Sequence, residues 1–153
     1  MTLPQSLERE LEPVRTLLDE TTAMVLATRM PDGNPRATPV FFAVDPSLRL
    51  LFLSDPKSVH CLNLARLSEA SAALYPEEAD WRRLRGVQMQ GRATALAGTE
   101  ADAARGVYAK RFPFVTQLAE ALAASQIYAF HPTWVRLIDN RRGFGFQQEW
   151  SLG

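Results

Sequence analysis

Along the first twenty residues apolar positions recur every three or four: Leu3, Leu7, Leu11, Val14 and Leu18. That spacing predicts an amphipathic helix, with Thr2 and Gln5 disposed as a capping box. Pro13 is expected to kink or restart it, because a proline within a helix removes one hydrogen bond and crowds the preceding turn. The pattern then becomes extended. Thr22 to Met30 and Arg36 to Val44 flank the turn-forming Pro31-Asp32-Gly33-Asn34, and together predict a hairpin.

After a turn at Asp45-Pro46-Ser47, the apolar run Leu48 to Leu53 suits a buried strand, and Ser54-Asp55-Pro56 announces a helix whose buried stripe includes Val59, Leu62 and Leu67. Strands are expected from about Ala70 to Tyr75 and from Leu84 to Leu96. Thr99 and Asp102 are placed to cap a further helix with Ala104, Val107 and Tyr108 on its apolar face. Pro113 breaks it, and Phe114, Val115, Leu118 and Leu122 continue in a second helical set. Ile127 to Phe130 and Trp134 to Ile138 return to strand, with His131 in a turn between them. Asp139 to Gly143 turns the chain and Phe144 to Trp150 closes it. Six or seven short strands, mostly in antiparallel hairpins and separated by three helical segments, favour a mainly β, α+β domain built on a closed or nearly closed barrel. No glycine-rich loop joins a strand to a helix, so a dinucleotide fold finds no support.

Composition narrows the function. The 153 residues, 46% of them hydrophobic, read as one domain spanning 1–153. Seventeen basic and 17 acidic side chains balance to zero, which removes the electrostatic case for nucleic acid. A lone cysteine, Cys61, and two histidines, His60 and His131, make a protein-built transition-metal centre unlikely on ligand count. No stretch approaches the roughly 20 apolar residues needed to span a bilayer, so no membrane partner and a cytoplasmic location are expected. Only Lys57 and Lys110 among the basic residues are lysine, which marks them as places where a compact ammonium is wanted.

Three segments carry candidate chemistry. In Ser54-Asp55-Pro56-Lys57-Ser58-Val59-His60 a strand runs into a helix, whose first amides and positive dipole end form an anion site. Lys57 and His60, with the hydroxyls of Ser54 and Ser58, could converge on one phosphate; alternatively Ser54 or Asp55 caps the helix and Lys57 and His60 are solvated. In Arg36-Ala37-Thr38-Pro39-Val40-Phe41-Phe42 a proline interrupts a good strand, which belongs at an edge. A flat heterocycle would suit backbone groups left free around Thr38 and Val40; a guarded edge strand is the plainer alternative. In Gly86-Val87-Gln88-Met89-Gln90-Gly91-Arg92-Ala93, alternation turns Val87, Met89, Gly91 and Ala93 inward and Gln88, Gln90 and Arg92 outward, toward ligand, partner or solvent.

In this order the three segments resemble the pyridoxamine-phosphate-oxidase-like family of flavin-binding split barrels, over nearly the whole chain. The ending from Trp134 to Trp150 looks like a small, functionally undefined bacterial branch of it. The resemblance implies a six- to seven-stranded antiparallel split β-barrel of Greek-key type that forms a homodimer and holds FMN in clefts between subunits. It also implies a flavin-dependent oxidoreductase acting on a small-molecule substrate, with NAD(P)H as a possible electron donor. Carried onto this sequence, the flavin would meet Thr38, Pro39 and Val40, its phosphate Ser54, Lys57, Ser58 and His60, and its ring edge Gln88 or Gln90. Trp150 and Trp81 are candidates to cover the ring. Two positions depart from the family pattern: Val59 replaces an arginine and His60 a lysine. The fold is also compatible with a non-catalytic flavin or haem binder, for which His60 or His131 would be the axial ligand.

Overall fold

The computed structural model describes residues 2–153. Two short helices open the chain, α1 (Gln5–Glu10) and α2 (Glu12–Glu20), with Pro13 in the first turn of α2, where a missing N–H costs nothing. The restart expected at Pro13 is therefore observed. The Thr2–Gln5 capping box is not: α1 begins after Pro4, without a side-chain cap.

The strands are β1 (Ala23–Arg29), β2 (Pro35–Phe41), β3 (Ala43–Val44), β4 (Leu50–Ser54), β5 (Glu69–Leu74), β6 (Arg85–Ala95), β7 (Gln126–Asp139) and β8 (Gln147–Ser151). Between them lie α3 (Val59–Arg66), α4 (Gly98–Arg111) and α5 (Phe114–Gln117). Every pairing is antiparallel, in the order β2-β1-β5-β6-β7-β4-β3, with β8 also on β7. The sheet curls until β2 comes back against β4, giving a split barrel with flanking helices. Eight strands form it, one or two more than the sequence pattern suggests.

The extra count conceals a merger. The two strands expected on either side of His131 are one, β7, because a register shift between Gln90 and Gly91 accommodates Pro132 within the ladder. His131 thus sits in a strand opposite Arg92, and not in a turn. The shift presses the backbones together: a Cβ on Gly91 would stand 2.1 Å from the His131 carbonyl oxygen. The first half of β7 pairs with β4 and the second with β8, so this strand joins the two parts of the barrel.

Inward-facing side chains of alternating strands fill the interior: Met24 and Leu26 of β1, Val87 and Met89 of β6, Phe130 and Val135 of β7, closed at one end by Leu17 and Leu18 of α2. β4 is buried on both faces. Its Leu50 and Phe52 enter this core, while Leu51 meets a second apolar cluster under α4 with Tyr108 and Phe112. Arg111 at the end of α4 donates to the Leu18, Asp19 and Thr21 carbonyls at the C-terminus of α2, and its guanidinium lies over Phe42 and Phe112. That one side chain satisfies carbonyls that a helix end leaves open. The caps expected from Thr99 and Asp102 are absent, and α4 starts after Ala97 with no side-chain cap.

Candidate functional site

β2 pairs with β1 alone, so its other edge is open. Phe42 N–H donates to the Thr22 carbonyl and the Asn34 carbonyl accepts from Met30, so even-numbered residues of this strand turn their backbone groups toward β1. By alternation Thr38 and Val40 spend their backbone groups on the ladder, contrary to the expectation that theirs are free. Pro39 and Phe41 face the open edge instead. Pro39 therefore occupies a position where no ladder donor is lost.

Across the split from this edge is β4, and between them opens a cavity of about 500 Å³. Pro39, Val40 and Phe41 form one wall, Leu53 and Ser54 the opposite one. His60 enters from α3, Tyr108 from α4 and Phe114 from α5, with Leu122 at the rim. Phe41 remains 52% exposed although its ring lies 5.6 Å from that of Phe112 and 5.8 Å from that of Phe114, so the exposed side is an aromatic surface facing the cavity. Burial beneath α4 pushes the Tyr108 hydroxyl up to about 12, so it is neutral near pH 7.

The polar end of the cavity is the β4–α3 junction. Ser54 closes β4, and its Oγ lies 2.8 Å from His60 Nε2; Ser58 Oγ is 3.4 Å from the same nitrogen. Burial lowers the His60 pKa from its ordinary 6.5, which keeps the imidazole neutral near pH 7. Asp55 turns back on its own loop, accepting from the Lys57 amide at 2.8 Å, while its carbonyl accepts from Ser58 Oγ at 2.7 Å. With its hydroxyl so engaged, Ser58 occupies the N-cap of α3 without capping it, and the first amides of the helix have no side-chain acceptor. Lys57 is exposed beside that terminus.

The helix begins at Val59, three residues later than Pro56 suggests, and the stripe it buries differs from the expected one. Cys61, Asn63 and Leu64 point inward, whereas Val59 and Leu62, expected in the core, are exposed. Asn63 is buried because its amide donates to Thr28 Oγ1 at 3.1 Å.

The site residues expected from the sequence divide into three groups. Pro39, Val40, Ser54 and His60 line the cavity, with Thr38 next to them on β2 and Lys57 and Ser58 at the helix start. Gln88 and Gln90 do point outward from β6, but along the transverse row Pro39–Val25–Ala73–Gln88 they stand three strands away, roughly 14 Å. Trp150 is placed differently from the expected ring cover: it is 6% exposed, opposite Val135 in the barrel core, and its indole N–H donates to Glu10 at 3.0 Å. Trp81 is exposed and meets Phe144 edge-on, away from the cavity. The sequence reading missed Phe41, Tyr108, Phe114 and Leu122 as cavity residues. For Tyr108 the helical stripe signalled burial, not what lay beyond it.

Residues 11–139 match the family described as pyridoxamine 5'-phosphate oxidase. A UPF0306 protein of Enterobacter sp. (strain 638) is 31% identical over 121 residues, 78% of this chain and 81% of that one. Among solved structures, a haem binding protein from Mycobacterium smegmatis superposes with a TM-score of 0.78 at 22% identity, over 99% of this chain. This chain spans only 60% of that protein's length. The haem storage protein of Vibrio cholerae gives a TM-score of 0.67 at 16% identity, covering 94% of this chain and 95% of its own.

Proposed function

The chain belongs to the pyridoxamine 5'-phosphate oxidase family, and from that premise we propose that it is an FMN-binding, flavin-dependent oxidoreductase that works as a homodimer on a small-molecule substrate. The observation that carries this reading is the cavity at the barrel split, which joins an open strand edge, an apolar aromatic wall and an uncapped helix N-terminus in one place. Those features suit FMN part by part. Pro39, Val40 and Phe41 would hold the flat ring, with unpaired backbone groups of the β2 edge available to its polar rim. Lys57 and the first free amides of α3 would hold the phosphate, and Ser58 would join them by giving up its bond to the Asp55 carbonyl. Bound FMN supplies hydride-level redox chemistry, with NAD(P)H as the candidate donor. The chain's own part is to orient the ring, exclude water with Tyr108 and Phe114, and offer a neutral hydrogen-bonding pair, Ser54 with His60.

The outer face of the barrel supports the dimer. Val25, Ala27, Ala37, Pro39, Ser71 and Ala73 make an uncharged patch across β2, β1 and β5, continued by Gln88 and Gln90 and bordered by Arg29, Glu69, Arg92 and Arg136. Since these glutamines lie outside the cavity of their own chain, they would reach a flavin only across a subunit interface. No helix among the described residues is long and apolar enough to cross a membrane; a cytoplasmic enzyme is part of the reading.

A haem-binding role is the second reading, and it is favoured by one observation: the cavity contains a neutral imidazole, His60, within an apolar enclosure. His131 lies in the middle of β7 and does not line this cavity. Purification without added cofactor, followed by an absorbance scan and light-scattering mass determination, tests both. Flavin bands in a dimer support the first reading. A Soret band supports the second, and a colourless protein that ignores added FMN overturns the first.

A further inference from the structure

The sequence predicts helix through Leu122, yet α5 ends after one turn. Wound as a helix, residues 114–124 would set Phe114, Val115, Leu118 and Leu122 in one stripe about 100° wide, with Thr116, Gln117 and Glu120 opposite it. Alanine supplies much of the rest, and neither glycine nor a second proline interrupts the run from Phe114 to Ser125. The backbone stops short of that form. Leu118 leaves the helical region at φ −106° and ψ 23°, and among the described residues no backbone carbonyl accepts from the amides of Ala119, Glu120 and Ala121. Ala123 and Ser125 donate three residues back, to Glu120 and Leu122, instead of four.

The packing is equally incomplete. None of residues 113–126 is buried. Phe114 and Val115 rest on the apolar cluster under α4, and Phe114 and Leu122 line the cavity at the split, but Leu118, midway between them on the stripe, is 47% exposed. Both ends of the segment are held. The Phe114 ring lies 5.5 Å from that of the buried Phe112, and the Arg105 guanidinium donates to the Ser125 carbonyl at 2.8 Å, just before β7 begins. The middle is therefore free between two anchors. A helix of about three turns is marginal in water and depends on burying its apolar stripe. α5 already supplies the nucleus, so each further residue adds a hydrogen bond without a second nucleation cost. What the segment lacks is a surface for Leu118.

We propose that residues 113–125 are a lid. When an apolar molecule fills the cavity, the segment winds on from α5 into a continuous helix, sets Leu118 on the occupant beside Phe114 and Leu122, and closes the cavity against water. Winding also gives the amides of Ala119, Glu120 and Ala121 their partners, the carbonyls four residues back. The lid rests on the flavin reading above only for its trigger; the device itself rests on the unwound stripe and its two anchors.

Amide hydrogen exchange, read by mass spectrometry on peptides spanning residues 113–125 of the full chain, tests this before and after saturation with FMN and, separately, with haemin. Without either, the amides from Ala119 to Ala124 should exchange close to the rate of unstructured chain. The probe that binds should slow them by about tenfold or more, while α4 changes little. Leu118→Ser alters an exposed side chain outside both apolar clusters and leaves the cavity lining intact. In that variant the bound probe should leave the segment exchanging fast and should be released sooner. Protection present before any probe is added overturns the proposal, because the segment is then already wound or covered by a second copy. Binding seen by absorbance without slower exchange also overturns it and leaves the cofactor reading standing. If FMN does not bind, the flavin reading falls and haemin decides the lid; no protection with either probe, or full protection in Leu118→Ser, overturns it.

Discussion

His60 Nε2 lies 2.8 Å from Ser54 Oγ, which ties the last residue of β4 to the first turn of α3 inside the cavity at the barrel split. The contact forms because the chain reverses through Asp55, Pro56 and Lys57 in a turn closed by hydrogen bonds to Asp55. Either neutral tautomer can make it, with Nε2 donating to the hydroxyl or accepting from it, and burial favours the uncharged ring.

A pH dependence of stability follows. The unfolded chain protonates His60 near its ordinary value of 6.5, and the folded chain only below that. Between the two values the unfolded state holds more protons, so this residue makes stability rise with pH through that window and fall as the solution is acidified. Urea midpoints measured from about pH 7.5 down to about pH 5.5 should decline less steeply for His60→Gln than for the unmodified chain. Identical slopes would remove His60 as the source.

On the flavin reading, the phosphate at the start of α3 would meet a reduced set of cations, with Val59 and His60 where the family pattern has arginine and lysine. Lys57→Ala should weaken FMN binding by about 1.5–3 kcal/mol, the scale of a hydrogen bond to a charged group. Val59 stands at the first position of α3 and is 42% exposed, so an arginine fits there without repacking. Val59→Arg should tighten FMN binding by a comparable factor. Fluorescence titration of added FMN reads both, and unchanged dissociation constants would place the phosphate elsewhere.

Arg111 is expected to hold the N-terminal helices on the barrel. Its guanidinium serves three carbonyls at the end of α2 while lying over Phe42 and Phe112. Arg111→Ala should destabilise the fold by about 1.5–3 kcal/mol, and Arg111→Lys should recover only part of this, since an ammonium cannot reproduce a planar fork stacked on rings. Thermal or urea unfolding distinguishes the outcomes, and full recovery by lysine would contradict the stacking argument.

How far the sequence anticipated these features depended on whether the signal was local. Alternation in β6 put Val87 and Met89 inside and Gln88 and Gln90 outside, as observed, because period-two patterning is a property of the strand itself. The hairpin of β1 and β2 was legible for the same reason. β7 was not, since Pro132 signals a break, and only pairing with β6 through a bulge at Thr133 carries the strand across it. Trp150 has a partner 140 positions away, Glu10, and no local pattern marks such a contact. The cavity was half legible. Its hydroxyl and imidazole groups stand in one short segment, whereas Phe41, Tyr108, Phe114 and Leu122 converge from four elements or turns through the closure of the barrel.

The bulge that carries β7 through Pro132 makes a sharp prediction about two glycines. A Cβ at Gly91 would lie 2.1 Å from the His131 carbonyl oxygen and 2.9 Å from the Pro132 Cα, both backbone atoms in a paired strand that cannot swing aside. Gly91→Ala must therefore separate β6 from β7 where they bind the barrel together, and its effect should lie at or above the upper end of the about 1–3 kcal/mol typical of overpacking. Gly106 supplies the opposite case. It lies on an exposed face of α4 with nothing within 4 Å of an added Cβ, so Gly106→Ala should stabilise the fold by about 0.5–1 kcal/mol through backbone entropy alone. Urea midpoints moving in opposite directions for these two substitutions are expected, and a Gly91→Ala variant as stable as the unmodified chain would mean that the two strands do not approach as described.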